Sequence, residues 1–175
     1  MSEPLLSILI PTVIERKVEF FNLYNKLVNF CEKKSISGCS FTGNDIKFQG
    51  YITELIQIGF ISDNKEISIG EKRSLLYKNA CGVYSLQIDD DDDISENGIE
   101  LILQSIKENP DCITYRENCM INGKYYSSNH SLKYDDWADN QDGFDYVRTP
   151  FYKDVIKTEI ARSVPFEHIR YGEGS

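Results

Sequence analysis

The sequence predicts an α/β fold with a mostly parallel central sheet flanked by helices. Three apolar runs of strand length, at residues 5–11, 54–64 and 83–88, alternate with stretches whose apolar residues recur every three or four positions. At 175 residues the chain has the size of one ordinary domain, and 41% hydrophobic content supplies one core without help from disulfides. A single domain over residues 1–175 is therefore expected.

The run "LLSILIP" (5–11) is continuously apolar and closed by Pro11, which suits a strand buried on both faces of a parallel sheet. In "VEFFNLYNKLVNFCEK" Phe20, Leu23, Tyr24, Leu27, Val28 and Cys31 fall on one face at helical spacing, the pattern of an amphipathic helix. Residues 34–50 carry Gly38, Gly43 and Gly50 among polar turn formers and read as a loop or irregular excursion. "ELIQIGFISDN" reads as a second strand ending at Asp63–Asn64, and "GEKRSLLYKNAC" as a short helix that stops before Gly82. "VYSLQI" is a third strand, with Val83, Ser85 and Gln87 facing one way and Tyr84, Leu86 and Ile88 the other. "ENGIELILQSIKEN" is a helix, and "DCITYREN" with "KYYS" forms a hairpin around Asn122–Gly123. From residue 126 the composition is that of polar loop, with one more helix in "DVIKTEIARSV".

Nineteen basic against twenty-eight acidic residues give a net charge of −9, and the run Asp89 to Asp93 supplies five of those negative charges. An acidic balance argues against nucleic acid as a partner, since that affinity comes from cations neutralising phosphates. It leaves room for a small anion, because a divalent cation held by carboxylates reverses the local sign. Cys31, Cys39, Cys81, Cys112 and Cys119 are odd in number and form no CxxC pair, so reduced thiols are expected. "LLSILIP" is too short for a membrane span and lacks the basic flank of a signal peptide, and no transmembrane segment is expected. A cytoplasmic location is the default expectation.

In an open α/β sheet, ligands bind beyond the carboxyl ends of the strands, and those ends carry Thr12, Asp63–Asn64 and the aspartate run. Composition alone makes "DDDDD" a solvated acidic loop. Its position after a buried strand and before a helix shifts the reading toward a site for magnesium, manganese or calcium, which prefer oxygen ligands. Lys72 and Arg73 stand near a helix start behind Gly70, where they either face water or meet a phosphate group.

Taken in order, "SILIPT", "ISDN" and "GEKRSLLYKNACGVYSLQIDDDD" resemble the inverting family 2 glycosyltransferases with the glycosyltransferase-A fold. The family pattern is a strand ending in Pro-Thr, a strand ending in aspartate, a Gly-x-x-x-Arg-Asn helix with an Ala-x-Gly-x-Tyr turn, and a strand ending in Asp-x-Asp. This sequence carries Ser74 where asparagine is usual and keeps Ala80, Gly82 and Tyr84. "IKTEIARSVPFEHIRYGE" is similar to the helix that leads to the family's Gly-Glu-Asp motif. The likeness covers residues 5–93 and 155–173. It implies a nucleotide-binding half at 5–93 and an acceptor-side half at 94–175 that is incomplete at its C-terminal end.

The resemblance implies transfer of a sugar, with inversion, from a nucleotide-sugar donor, a UDP-sugar, to a saccharide or other hydroxyl acceptor, with Mn2+ or Mg2+ as cofactor. Pro11, Thr12 and Glu15 would line the nucleotide pocket, and Asp63 would accept from the base with Arg73 beside it. Asp89 would approach the ribose, Asp91 would ligate the metal with Asp89 as its partner, and Asp90 fills the middle position. The family's general base is the aspartate of Gly-Glu-Asp, whereas this sequence reads Gly172, Glu173, Gly174 and Ser175. Three explanations stay open: Glu173 is the catalytic carboxylate, the sequence stops short of the motif, or the protein does not catalyse. The second is the expected one, since the helical segment that follows in the family is also lacking.

His168 is close in sequence to this edge and reads either as a metal or phosphate contact or as an ordinary surface histidine, while His130 has less context. Trp137 reads as a core residue or as a platform for an acceptor sugar. Two other functions are weighed against the transferase. One is a nucleotidyltransferase of related architecture, though no glycine-rich triphosphate loop follows the first strand. The other is an inactive module that binds a divalent cation or a protein partner.

Overall fold

The computed structural model describes residues 3–34, 36–43, 47–164 and 166. The chain opens with β1 (Leu6–Val13), a 3-10 turn at Ile14–Arg16 and α1 (Lys17–Lys33). It continues through β2 (Gly38–Thr42), β3 (Phe48–Thr53), β4 (Ile56–Asp63), α2 (Ile69–Asn79), β5 (Tyr84–Gln87) and α3 (Glu96–Ser105). Then come β6 (Cys112–Ile113), β7 (Arg116–Ile121), β8 (Lys124–His130), β9 (Ala138–Gln141) and β10 (Phe144–Arg148), followed by β11 (Val155–Lys157) and α4 (Thr158–Ser163).

The described residues form two sheets, one in the order β2-β3-β4-β1-β5-β11-β6 and one in the order β7-β8-β10-β9. The α/β class holds. The expectation of a mostly parallel sheet does not: β4, β1 and β5 run parallel, while β2, β3, β11 and β6 add antiparallel neighbours. A parallel pair cannot be joined by a tight hairpin, and α2 carries the chain back from β4 to β5, whereas β2, β3 and β4 follow one another through short connections and β11 returns from the second sheet.

Helices cover both faces of the large sheet. Leu6, Ile8 and Ile10 of β1 pack with Phe20, Leu23, Leu27 and Phe30 of α1, and with Ile99 and Ile102 of α3. Leu9 and Ile61 on the opposite face pack against Leu76, Tyr77 and Ala80 around α2 and against Ala161 of α4. Pro11 lies inside β1 and does not close it, because its ring faces a side with no ladder to break. The Leu9 carbonyl accepts from Ile88 at the end of β5, so Pro11, two residues on, turns its backbone toward the space past that strand.

Three expectations need correction. The described residues of 34–50 are not merely loop; they supply β2 and the first half of β3. Gly50 pairs with Gly59, and the room left by the missing side chain of Gly59 is filled by the Phe48 ring, so glycine here makes space within a sheet. The segment after residue 126 is not polar loop either, because β8 runs on to His130 and β9 and β10 follow. Asp142 and Gly143, both at positive φ, turn β9 into β10 as Asn122 and Gly123 turn β7 into β8. Finally, the helix expected over 154–164 is split: Val155–Lys157 pairs with β5 and β6 before α4 starts at Thr158. All five cysteines are free thiols, as expected. No helix among the described residues is long and apolar enough to cross a membrane.

Candidate functional site

The carboxyl ends of β1, β4 and β5 come together on one edge, and α2 leans over it. Ser68 starts α2 by accepting from the Glu71 N–H at 3.1 Å, which points the first turn, with Lys72 and Arg73, at the strand ends. Lys72 is 2% exposed. Its ammonium donates to the Thr12 carbonyl at 2.6 Å and pairs with Asp63, tying the end of β1 to the end of β4. Asp63 also accepts from the N–H groups of Glu66 and Ile67, at 2.9 and 3.0 Å. Burial would raise its carboxyl; the Lys72 bond and charge together with those N–H groups outweigh it and hold Asp63 below the usual range. Both Asp63 oxygens are therefore engaged inside the protein.

Arg73 reaches β5. Its guanidinium donates to Gln87 at 3.1 Å and to Asp89 at 2.8 Å, and it lies 3.6 Å from the centre of the Tyr152 ring. The Tyr152 hydroxyl donates to the other Asp89 oxygen at 3.3 Å. Burial, joined by the Asp89 charge, pushes that hydroxyl up to about 12, so it remains a donor.

Each residue of the aspartate run has a basic partner. Asp90 is buried, accepts from the Thr12 hydroxyl at 2.6 Å and meets Arg16 at 3.0 Å. Burial wins over these contacts and raises its carboxyl. Asp91, 59% exposed, pairs with the other arm of Arg16 at 2.6 Å. Asp92 meets Lys153 at 2.6 Å, which also lies 3.8 Å from Asp89, and Asp93 meets Lys26 at 2.5 Å. The like charges are held together by this interleaving of cations. Ser95 then caps α3 through the Gly98 N–H at 2.9 Å and ends the acidic turn.

Of the residues singled out in the sequence, Thr12, Asp63, Arg73, Asp89, Asp90 and Asp91 all lie at this edge. Pro11 is buried in β1 opposite Ile61. Glu15 is on the rim, bound to Lys65 at 2.6 Å with both side chains exposed. Glu173 and His168 lie outside the described residues. Among those described, no group of three or more His, Cys, Asp or Glu side chains is placed to share a metal ion.

Sequence reasoning missed Arg16, Tyr152 and Lys153, and it gave His130 no setting. His130 is buried at the join between the sheets, where its Nδ1 lies 3.1 Å from Asp154. Its Nε2 lies 3.3 Å from Glu117 but makes no well-formed hydrogen bond. Burial would lower the imidazole, but Asp154 and Glu117 outweigh it and bring it to about 9. The segment 151–154 is thus a hub: Tyr152 and Lys153 turn to the aspartates and Asp154 to His130. Compared with protein-family models, curated proteins and solved structures, the chain matches none.

Proposed function

We propose that this chain binds a nucleotide-sugar, a UDP-sugar, at the carboxyl edge of β1, β4 and β5 and transfers the sugar to a hydroxyl acceptor, as an inverting family 2 glycosyltransferase of the glycosyltransferase-A type. The observation that carries this reading is the bonding of residues far apart in sequence into one polar edge. Thr12 and Asp90, 78 positions apart, share a hydrogen bond, and Arg73 joins the same edge through Asp89.

The roles follow from chemistry. Arg16 and Lys153 supply cations among the aspartates where a diphosphate would come to rest. Asp89, fixed by Arg73 and Tyr152, presents a carboxylate of set orientation to ribose hydroxyls. Asp91 and Asp89 are the carboxylates that would hold a Mn2+ or Mg2+ if their pairs with Arg16 and Arg73 gave way, since these ions take oxygen ligands. When bound, such an ion neutralises charge growing on the leaving diphosphate. The resemblance assigns removal of the acceptor's proton to the aspartate of Gly-Glu-Asp, where this sequence has Gly174, and Glu173 is the neighbouring carboxylate that would take that role.

Calorimetric titration with UDP, with and without Mn2+, tests the reading. Mn2+-dependent binding that weakens roughly tenfold or more in Asp91→Asn is expected. A folded protein that takes up no UDP under either condition contradicts it. The pairing of every aspartate with a basic side chain favours a second reading, in which Arg16 and Lys153 hold the diphosphate unaided. UDP binding indifferent to Mn2+ and to Asp91→Asn selects that one.

A further inference from the structure

One face of the four-stranded sheet is linked to the aspartate edge through Phe151, Tyr152 and Lys153. Strand register puts Glu117 of β7, Tyr126 of β8, and Tyr146 and Arg148 of β10 on that face, and Trp137, just before β9, beside Arg148. The face begins next to the aspartates. Glu117 is held low first by His130 and then also by the charge of Lys153, the residue that binds Asp92.

Aromatic contacts run without a break from Asp89 along this face. Tyr152, bonded to Asp89, meets Phe151 with ring centres 5.0 Å apart, and Phe151 meets Trp137 at 5.6 Å. The Arg148 guanidinium stands 4.9 Å from both the Trp137 and the Tyr146 rings, and Tyr146 meets Tyr126 at 5.8 Å. Trp137 is 41% exposed, and both tyrosines are partly exposed. Beside the rings Arg148 pairs with Asp139 at 3.6 Å and Glu117 with His130 at 3.3 Å, while Lys124 lies at the far end of β8.

Flat rings with polar rims, interleaved with paired charges, suit a neutral polyhydroxylated ligand. The C–H faces of a pyranose pack on aromatic rings while its equatorial hydroxyls need fixed hydrogen-bonding groups at their edges. A polyanion would call for unpaired cations instead. We infer that this face is the acceptor subsite and that the acceptor is a saccharide, its rings stacked on Trp137, Tyr146 and Tyr126 and its hydroxyls bonded to Arg148 and Glu117. The acceptor role rests on the transferase reading above; saccharide binding by the face does not.

Trp137 is the sole tryptophan of the sequence, so its emission reports on the face directly. The whole chain is titrated with soluble oligosaccharides of the malto-, cello-, laminari- and chito- series, with UDP binding measured separately. Saturable change in Trp137 emission with at least one series is expected, weakened roughly tenfold or more in Tyr146→Ala. Should that variant fail to fold, Tyr126→Ala replaces it with the same expectation. No response to any of the four series, or undiminished binding in a folded tyrosine variant, overturns the inference. UDP binding without saccharide binding defeats this inference alone, and saccharide binding without UDP binding upholds the face while defeating the donor reading.

Discussion

His130 keeps a charge in a place where burial alone would remove it. The reason is the pair of carboxylates around it, Asp154 on Nδ1 and Glu117 near Nε2, with Tyr115 and Phe151 closing the sides. Its folded value of about 9 lies above the 6.5 of an unperturbed histidine. This contribution to stability is therefore complete below pH 6.5 and is lost as the pH rises through about 9. Denaturant titrations should show stability falling between neutral pH and pH 10 by on the order of 3 kcal/mol, with His130→Ala flattening that slope. An unchanged slope in the variant would contradict the assignment. Nothing around "SSNHSL" in the sequence marks this histidine, because its partners arrive from positions 117 and 154. The aspartate run shows the other side of the same limit. Its carboxylates are plain in the sequence, whereas Arg16, Lys26 and Lys153 look like any surface cation until the chain folds them back between the aspartates.

At the scale of elements, apolar periodicity located β1, α1, β4, α2, β5 and α3, where one pattern persists over a full element and matches its burial. It missed β2 and β3 because the glycines there serve sheet packing, and a residue with no side chain carries no periodicity. It missed β9 and β10 although Asp142–Gly143 gives the same turn signal as Asn122–Gly123, because charged and polar residues crowd the short strands on either side. The turn between α2 and β5 is a tight joint at the amino ends of the strands, opposite the aspartate edge. A side-chain carbon on Gly82 would lie 2.6 Å from the Ser7 backbone nitrogen, and the Gly82 N–H donates to the Ser7 hydroxyl at 2.8 Å. That hydroxyl donates in turn to Gln57 at 2.5 Å, and Gln57 accepts from Cys81 at 2.8 Å. Gly82→Ala must push the turn away from β1 and break this buried set. A loss of roughly 2 kcal/mol in urea unfolding is expected, and wild-type stability would show that the joint has slack.

Across the whole molecule, three parallel strands with helices on both faces hold the aspartate edge, and a second sheet stands beside it with an aromatic face. The hub at 151–154 connects the two, because consecutive residues of one segment contact Asp89, Asp92 and His130. The parallel centre was legible from three apolar runs and two amphipathic stretches between them. The second sheet was not, since its placement depends on the His130–Asp154 pair and on contacts between rings distant in sequence. Donor binding at the aspartate edge is the central proposal, and mapping UDP onto the isotope-labelled chain by NMR, with Mg2+ present, tests it most directly. The account predicts that the largest backbone shifts fall on Thr12, Arg16, Arg73 and residues 89–92, with the outer strands β2 and β9 unmoved. Shifts confined to other surfaces, or none at UDP concentrations in the millimolar range, would contradict it.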